Sequence, residues 1–292
     1  MTTPLLVNRH AGALRVAHRA SARQLGRIAQ EVGVDVDMIE SRSEAEMLSA
    51  VRDYVRRGAP RLAVAGGDGT VASVVQELAH SPTALGIIPT GTANNFAAAL
   101  RLPTDWSDAM RVIQNGEVVA VDLGRVGKNY FTESAGAGLL ADALAFYGLG
   151  VNKNLLRALY AAFRLLLGYH SSRLRLYADG ELHSERALLC EVMNTARTAR
   201  ALPFAPDATL TDGQLDVVVV GDLKVWELPT YYRAARKQQH HRLPNVHTFR
   251  TRELRIAADR ALNVHLDERA LLKTPVTVTL EPGALRVLVE RR

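Results

Sequence analysis

A glycine-rich segment, Gly66-Gly67-Asp68-Gly69-Thr70, has the composition best suited to chemistry in this sequence. It follows the apolar run Leu62–Ala65 and precedes the run Val71–Leu78, whose apolar residues recur with helical spacing. A glycine turn between a buried strand and a helix presents backbone N–H groups at the positive end of the helix dipole, where a phosphate can bind. Glycine suits such a turn because the missing Cβ permits close approach and positive φ. The segment therefore predicts a phosphate-binding loop.

Asp68 adds a second requirement to this loop. A carboxylate beside phosphates repels them unless a divalent cation lies between, so Asp68 is predicted to organise magnesium during catalysis. The segment lacks the Lys-Ser or Lys-Thr pair of the Walker loop and does not match Gly-x-Gly-x-x-Gly. The alternative interpretation is a tight turn in which Asp68 caps the following helix.

The elements around this loop alternate between strand and helix. Strands are predicted at Leu5–Val7, Val34–Ile39, Leu62–Ala65 and Ala84–Ile88, and helices at 25–32, 43–57, 71–78 and 94–100. Ser43 and Glu46 have the spacing of a capping box, and Gly58 is a plausible stop for that helix. Successive strand-helix units predict an α/β domain over residues 1–120, with a parallel sheet and helices on both faces.

Short β-like runs separated by turns dominate the rest of the chain. They are Val119–Val126, Tyr130–Thr132, Leu174–Tyr177, Leu215–Val220, Leu254–Ala257, Asn263–Leu266, Val276–Leu280 and Leu285–Val289. This texture predicts a mainly-β sandwich over residues 121–283, with a C-terminal segment of about 284–292 free to return to the first domain. Two helical interruptions, Asn152–Leu167 and Trp226–His241, combine apolar or aromatic residues with cations.

Composition fits a well-packed globular protein, since 48% of the 292 residues are apolar and the net charge is +6. The single cysteine, Cys190, excludes an internal disulfide and a cysteine-based metal cluster, which favours a reducing compartment. The N-terminus lacks a signal-peptide pattern, and no apolar run approaches the roughly 20 residues of a spanning helix. A cytoplasmic location is expected, with any membrane contact peripheral, on the inner face.

Four further segments carry a resemblance to a known family. These are Pro89-Thr90-Gly91-Thr92-Ala93-Asn94-Asn95-Phe96, Asn8–Gly12, Val121-Asp122-Leu123-Gly124 and Asp212-Gly213-Gln214-Leu215-Asp216. Together with the glycine loop, and in this order along nearly the whole chain, they resemble the diacylglycerol kinase catalytic family. Two positions in these segments depart from the family pattern, because Arg9 stands where the family has Pro and Asn95 where it has Asp.

The resemblance implies a two-domain lipid kinase that binds ATP and magnesium in the cleft between its domains. The implied nucleotide contacts are Asn8, Arg9, His10, Ala11, Gly12, Ser41, Gly66, Gly67, Asp68, Gly69, Thr70, Ser73 and Thr92. A further magnesium ion is implied at the Asp212 turn, held by Asp212 and by Gln214. The structural alternative for that turn is an ordinary β-turn shaped by Asp212-Gly213.

The family resemblance also implies a general base. Family members carry Asp-Gly-Glu in the late strands, and the corresponding residues here are Asp267, Glu268 and Arg269. A carboxylate of ordinary pKa is sufficient, because a kinase base mainly positions the hydroxyl. Asp267 is therefore the predicted catalytic base, with a charged surface turn as the alternative.

Three functional hypotheses follow. The leading one is transfer of the ATP γ-phosphate to a lipid hydroxyl, diacylglycerol or a related lipid, at the membrane surface. The second is an NAD kinase-like or phosphofructokinase-like kinase, since both use a Gly-Gly-Asp-Gly loop. The third is a catalytically impaired nucleotide-binding regulator, suggested by Glu268, Arg269 and Asn95. No nucleic-acid partner is expected, and the sequence allows a homodimer without fixing the oligomeric state.

Overall fold

The computed structural model of the chain describes residues 2–8, 22–147, 171–198 and 203–291. These residues form two compact units. The first comprises Met1–Leu123 with Pro282–Arg292, and the second comprises Gly124–Glu281. Two strands run from one unit into the other, β5 (Glu117–Val126) and β15 (Val276–Val289).

The first unit is built from a parallel sheet and five helices. Its strands are β1 (Thr3–Asn8), β2 (Val36–Ser41), β3 (Arg61–Gly66) and β4 (Ala84–Pro89). Its helices are α1 (Ala22–Val32), α2 (Glu44–Arg56), α3 (Asp68–Leu78), α4 (Asn95–Ala99) and α5 (Trp106–Asn115). The strands lie in the order β4-β3-β1-β2, and the end of β15 pairs in parallel with β4 through Val287 and Leu85.

Burial explains why this sheet carries continuous apolar runs. Leu5 and Val7 of β1 pack with Leu25 of α1 and Met110 of α5 on one face. Leu6, which points to the other face, is also fully buried, and α2 and α3 pack against each other. A parallel sheet covered on both faces needs apolar residues on both sides of each strand, and the predicted α/β architecture is confirmed.

The sequence pattern predicted the start of helix α2 correctly and missed helix α5. Ser43 is the N-cap of α2, and its hydroxyl accepts the N–H of Glu46 at 3.1 Å. The Glu46 carboxylate accepts the N–H of Arg42 rather than that of Ser43, so only half of the capping box forms. Helix α5, which begins after the N-cap Asp105, was not predicted.

The second unit is mainly antiparallel β-structure. Its further strands are β6 (Asn129–Phe131), β7 (Ser134–Gly138), β8 (Ser172–Ala178), β9 (Glu181–Met193), β10 (Leu215–Gly221), β11 (Val246–Thr251), β12 (Glu253–Ala258), β13 (Asn263–Leu266) and β14 (Arg269–Lys273). Its α-helices are α6 (Leu139–Tyr147) and α7 (Leu228–Arg236), with short 3₁₀ turns at Val225–Glu227 and His240–Arg242. β9 pairs with β8 through its first half and with β7 and β10 through its second half.

One apolar core organises these strands. Alternate residues of β8, Leu174 and Leu176, are buried in it, as are Val217 of β10 and Ile256 of β12. Cys190 of β9 lies in the same core, where burial raises the pKa of its thiol. Strands that contribute every second residue to one shared core agree with the predicted sandwich. Strands β7, β9, β11 and β14 were not predicted as such, because small or charged residues interrupt their patterns.

The two predicted helical interruptions have different outcomes. Asn152–Leu167 lies outside the described residues. Trp226–His241 is shorter as a helix than predicted, because α7 covers only Leu228–Arg236 and 3₁₀ turns flank it. None of the helices in the described residues combines the length and apolar character that a membrane span requires.

Candidate active site

In the first unit the predicted site residues gather at the carboxyl edge of the parallel sheet. Asn8 at the end of β1 is paired with Ser41 at the end of β2. Gly66 at the end of β3 is paired with Pro89 at the end of β4. Because all four strands run in parallel, the loops that follow them leave the sheet at one edge. Residues far apart in sequence are thereby brought together.

The strand order creates a crevice at this edge. β2 lies on one side of β1, and β3 and β4 lie on the other, so the connections after β1 and β3 diverge. Ligands of open α/β sheets bind at such a switch point, outside the carboxyl ends of the strands. The loop after β3 is the glycine loop, 66–70. The loop after β1 contains Arg9, His10, Ala11 and Gly12, which lie outside the described residues.

The glycine loop packs against the segment that follows β4. A Cβ at Gly67 would lie 2.9 Å from the Cα of Gly91, and a Cβ at Gly91 would lie 2.5 Å from the Cα of Gly67. A Cβ at Gly66 would clash with the side chain of Thr70. Close approach, and not positive φ, is therefore the reason for Gly66 and Gly67, because neither has a φ in the left-handed region.

Gly69 differs from its neighbours in the same loop. A Cβ at this position would meet no atom within 4 Å, and the residue belongs to the first turn of α3. Nothing within the described residues requires a glycine here. A ligand that approaches the backbone closely would supply such a reason.

Asn94 closes the second loop. Its side-chain oxygen accepts the N–H of Gly91 at 2.9 Å, and its amide nitrogen donates to the carbonyl of Gly91 at 2.9 Å. It also has a φ of 50°, a conformation that asparagine tolerates better than most residues, and it is the N-cap of α4. The segment 91–94 is thus a preformed turn beside the glycine loop.

Asp68 is buried at the start of α3. The N-cap of this helix is Gly67, and the Asp68 Oδ1 accepts the N–H of Phe96 at 3.3 Å. The alternative in which the Asp68 side chain caps α3 is therefore wrong. The carboxylate instead ties the glycine loop to the loop after β4, in the first turn of a helix whose dipole favours negative charge. One oxygen held by a backbone N–H leaves the other able to act as a magnesium ligand.

The remaining predicted nucleotide contacts differ in exposure. Thr92 is exposed, and Thr70 is half-buried. Ser41 is buried, and its hydroxyl donates to the carbonyl of Val7 at 3.3 Å. The Ser73 hydroxyl lies 2.5 Å from Glu44 Oε1 and 3.0 Å from the carbonyl of Gly69, which gives it a structural role inside the unit.

In the second unit Asp267 is buried and its carboxylate is bound by one short segment. Its Oδ1 accepts the N–H groups of Glu133 at 2.8 Å, Thr132 at 3.2 Å and Ser134 at 3.3 Å. Its Oδ2 accepts the N–H of Thr132 at 3.1 Å and the Thr132 hydroxyl at 3.2 Å. Burial raises the pKa of Asp267, while these backbone N–H groups oppose the shift.

The turn that carries Asp267 explains a departure from the family pattern. Asp267 and Glu268 connect β13 to β14, because Leu266 pairs with Arg269. Asp267 has a φ of 51°, and Glu268 is not among the described residues with positive φ. A glycine is therefore not needed at the second position of this turn. Glu268 is exposed, so it adds charge to the surface without straining the backbone.

The predicted metal turn has a cation of its own. The Asp212 Oδ1 accepts the N–H of Gln214 at 3.1 Å, as in an Asx turn. The Arg250 guanidinium lies 3.0 Å from Asp216 Oδ1 and 4.0 Å from Asp212 Oδ2. Burial raises the pKa of Asp216, and Arg250 counteracts the shift. The Arg250 guanidinium offsets part of the charge of Asp212 and Asp216 and would repel a magnesium ion, so the turn fits a metal less well than Asp68 does.

Comparison with known proteins identifies the family. The sequence model of the diacylglycerol kinase catalytic domain matches residues 3–126, and that of the YegS C-terminal NAD kinase beta sandwich-like domain matches residues 135–289. The diacylglycerol kinase of Staphylococcus saprophyticus is 32% identical over 210 residues, which cover 70% of this chain and 68% of that protein. The chain belongs to the diacylglycerol kinase family. The diacylglycerol kinase of Staphylococcus aureus is 31% identical over 211 residues, covering 70% of this chain and 67% of that protein.

Solved structures show that the kinase shares its fold with proteins of low sequence identity. The crystal structure of a protein from Bacillus anthracis matches 99% of this chain and 95% of that protein's chain, with a TM-score of 0.80 at 20% identity. A diacylglycerol kinase from Bacillus anthracis covers 99% of this chain and 97% of its own, with a TM-score of 0.75 at 19% identity. Family membership makes the chain a kinase.

Sequence reasoning missed several polar residues around the two carboxylates of this kinase. Thr132 and Glu133 lie at a turn with no pattern that marks them as partners of Asp267. Glu191 and His265 are both completely buried and lie 2.9 Å apart, Oε2 to Nε2. The charge of Glu191 inside the apolar run 187–192 could have marked it as a buried residue that needs a partner. The identity of its partner depends on strand pairing.

Proposed function

We propose that this kinase transfers the γ-phosphate of ATP to the hydroxyl of a lipid, diacylglycerol or a closely related acceptor. The observation that carries the proposal is the glycine loop, 66–70, at the switch point of a parallel sheet, with Asp68 buried beside it. The curated relatives with 31–32% identity are diacylglycerol kinases by name, which supports the acceptor class.

In this proposal the carboxyl edge of the first unit holds the nucleotide. Backbone N–H groups of the glycine loop would bind the phosphates, and Asn8, Ser41 and Thr92 would contribute polar contacts. Asp68 would hold magnesium, which when bound to ATP neutralises the phosphate charge and supports in-line transfer. Gly69, which no packing contact explains, would allow the phosphates to approach the first turn of α3.

Asp267 is the proposed base. Its Oδ1 accepts three backbone N–H groups, whereas Oδ2 accepts only from Thr132. Backbone N–H groups hold Oδ1 in place, whereas the Thr132 hydroxyl can rotate away from Oδ2 and free a lone pair, so we assign proton acceptance to Oδ2. The lipid hydroxyl oxygen would bond to the γ-phosphorus, its proton would pass to Oδ2, and the bond from phosphorus to the bridging oxygen would break to release ADP.

The acceptor would be met at a membrane surface. Trp226 is 73% exposed and Tyr232 is 58% exposed, although both are large aromatic residues. The cations around them are exposed too, and the Lys224 Nζ lies 5.3 Å from the centre of the Trp226 ring. We name this surface the aromatic-basic patch; it contains Lys224, Trp226, Tyr232, Arg233, Arg236 and Lys237. Aromatic side chains beside cations suit an anionic bilayer.

The test is an acceptor panel assayed with ATP, magnesium and the purified kinase. Mass spectrometry should detect phosphorylated diacylglycerol or a related phospholipid with the wild-type chain. Asp68→Ala should lose transfer, and Asp267→Asn should lower kcat by about 100-fold or more while ATP binding persists. Phosphorylation of NAD or fructose 6-phosphate instead of lipid would move the chain to the other kinase branch.

A nucleotide-binding regulator is the second candidate. The observation in its favour is that Asp267 is buried and engages N–H groups of three successive residues, as a purely structural carboxylate also does. In that case ATP binds, none of the acceptors is phosphorylated, and Asp267→Asn changes stability without changing nucleotide affinity.

A further inference from the structure

Three strands of the second unit place two charged side chains over a single glycine. Gly136 of β7 pairs with Glu191 of β9 on one side and with His265 of β13 on the other. A Cβ at Gly136 would lie 2.3 Å from Glu191 Oε1. The side-chain space of Gly136 is thus filled by the Glu191 carboxylate, which reaches across it to His265.

His265 connects Glu191 to the backbone of Asp267. Its Nε2 lies 2.9 Å from Glu191 Oε2 and 3.2 Å from Oε1, and its Nδ1 lies 2.8 Å from the carbonyl oxygen of Asp267. A carbonyl oxygen accepts only, so Nδ1 must carry a proton. Nε2 faces a carboxylate. The geometry is that of an imidazolium donating to both partners.

The charges agree with this assignment. Burial by itself lowers the pKa of His265, but the charge of Glu191 and its hydrogen bond outweigh burial, and the net shift is upward. Both side chains are completely buried. A buried ion pair contributes little net stability compared with apolar residues of similar size, so stability alone does not account for it.

The Glu191–His265 pair instead fixes the backbone carbonyl of Asp267, whose carboxylate and N–H are bound by other residues. The carboxylate is bound by residues 132–134, and the Asp267 N–H donates to the carbonyl of Ser134 at 2.7 Å. The carbonyl of Asp267 is bound by His265. Asp267 needs this support because its φ of 51° lies in the left-handed region, which a non-glycine residue leaves readily without restraint.

We propose that Glu191 and His265 are positioning residues for Asp267: Glu191 orients the His265 ring, and the ring holds the Asp267 carbonyl so that the carboxylate points correctly. This inference rests on the proposed role of Asp267 as the base. It predicts that the pair acts on the transfer step and leaves ATP binding unchanged.

The test compares variants that keep or remove the bond to the Asp267 carbonyl. In Glu191→Gln the glutamine amide can donate to Nε2 of a neutral ring whose Nδ1–H still binds Asp267, so kcat should remain within about 3-fold of wild type. The double variant Glu191→Met with His265→Leu removes the bond without leaving an unpaired charge. Its kcat should fall by about 10- to 100-fold, with the KM for ATP unchanged and thermal stability equal or higher. A stable double variant with unchanged kcat overturns the proposal.

A second pair of variants tests the inference if the double variant does not fold. In the Glu191→Gln background, His265→Asn places an amide near the former Nδ1 and can still bind the Asp267 carbonyl. His265→Gln places its amide near the former Nε2 and cannot. The asparagine variant should retain a higher kcat than the glutamine variant, and equal kcat values overturn the inference.

An independent readout separates this inference from the proposed function. The backbone amide resonances of Thr132, Glu133 and Ser134 report the hydrogen bonds to the Asp267 carboxylate. They should shift in the variants that remove the carbonyl bond and stay in place in Glu191→Gln. If the wild-type chain phosphorylates no lipid but these shifts occur, the positioning holds and the lipid-kinase proposal fails. Unshifted amides overturn the positioning itself.

Discussion

At the scale of single residues, the glycines of the glycine loop and of the segment after β4 have different roles. Gly67 and Gly91 are required by each other, because their Cα atoms approach too closely for a side chain on either. Among the described residues, no atom lies within 4 Å of the position that a Cβ at Gly69 would take. The sequence cannot distinguish these cases, since each is a glycine in the same kind of loop, but the distances can.

Gly91→Ala and Gly69→Ala should therefore separate folding from ligand binding. The Cβ of Gly91→Ala would lie 2.5 Å from a backbone atom that cannot rotate away, so we expect a loss of about 1–3 kcal/mol in unfolding free energy. Gly69→Ala should leave stability unchanged or raise it by up to about 1 kcal/mol, because alanine favours a helix.

The measurements are urea unfolding and ATP titration for both variants. Gly69→Ala should bind ATP at least several-fold more weakly despite its stability, because its methyl group would occupy the space of the phosphates. Unchanged ATP affinity in Gly69→Ala would contradict the placement of the phosphates at the first turn of α3.

At the scale of elements, the turn before β10 and the strand β11 together form a corner in which one arginine offsets part of the charge of two carboxylates. Arg250 of β11 lies beside Asp216 and Asp212, since Asp216 and Arg250 are cross-strand partners. The motif that suggests a metal is therefore paired with an arginine 34 residues away from Asp216. The guanidinium supplies the positive charge that an ion would otherwise provide.

Magnesium should have little effect on the stability of the wild-type second unit. Arg250→Gln should lower the unfolding free energy by about 1 kcal/mol, because Arg250 is partly exposed and its pairs are screened by solvent. In this variant magnesium should raise the melting temperature relative to EDTA, since the acidic turn has lost its cation.

The matched control is Arg255→Gln, which removes a cation from β12 that lies over the Tyr177 ring. Thermal melts with EDTA and with magnesium would be compared for all three proteins. A strong magnesium dependence in the wild type, equal to that of Arg250→Gln, would show that Arg250 does not replace the ion.

At the scale of the whole molecule, the proposed contact with an anionic membrane rests on net charge and on exposed aromatic surface. The net charge is +6, which attracts anionic lipid at long range and is screened by salt. The aromatic-basic patch adds short-range contacts, because exposed aromatic rings can insert at the lipid headgroups.

Vesicle binding tests the patch directly. Binding to vesicles that contain phosphatidylglycerol should exceed binding to phosphatidylcholine vesicles and should weaken as salt rises. Trp226→Ala should weaken it by about 10-fold, which corresponds to roughly 1.4 kcal/mol of lost apolar insertion. Leu182→Ala is the control, because Leu182 is 56% exposed on β9 and lacks the cations of the patch. Vesicle binding would be measured by sedimentation. If Trp226→Ala and Leu182→Ala weaken binding equally, the aromatic-basic patch is not the docking surface.

The sequence by itself determined the architecture of both units and the position of the glycine loop. Continuous apolar runs predicted β1, β3 and β4, and an apolar period near 3.6 predicted the helix after Gly67. Asp68, Thr92 and Asp267 stand in short motifs, so the sequence suggested them as site residues, and their roles stay predictions. Helix α5 was missed although Asp105 is a typical N-cap and Trp106, Ala109, Met110 and Ile113 recur with helical spacing.

The tertiary structure decided which groups meet. Strand pairing brings Glu191, Gly136 and His265 into one row, although they are distant in sequence. The same kind of pairing places Arg250 beside Asp216. Hydrogen bonds and ion pairs between strands depend on register, which a local pattern does not encode. The sequence therefore indicated a phosphate loop and a candidate base, and the folded chain showed what holds each carboxylate in place.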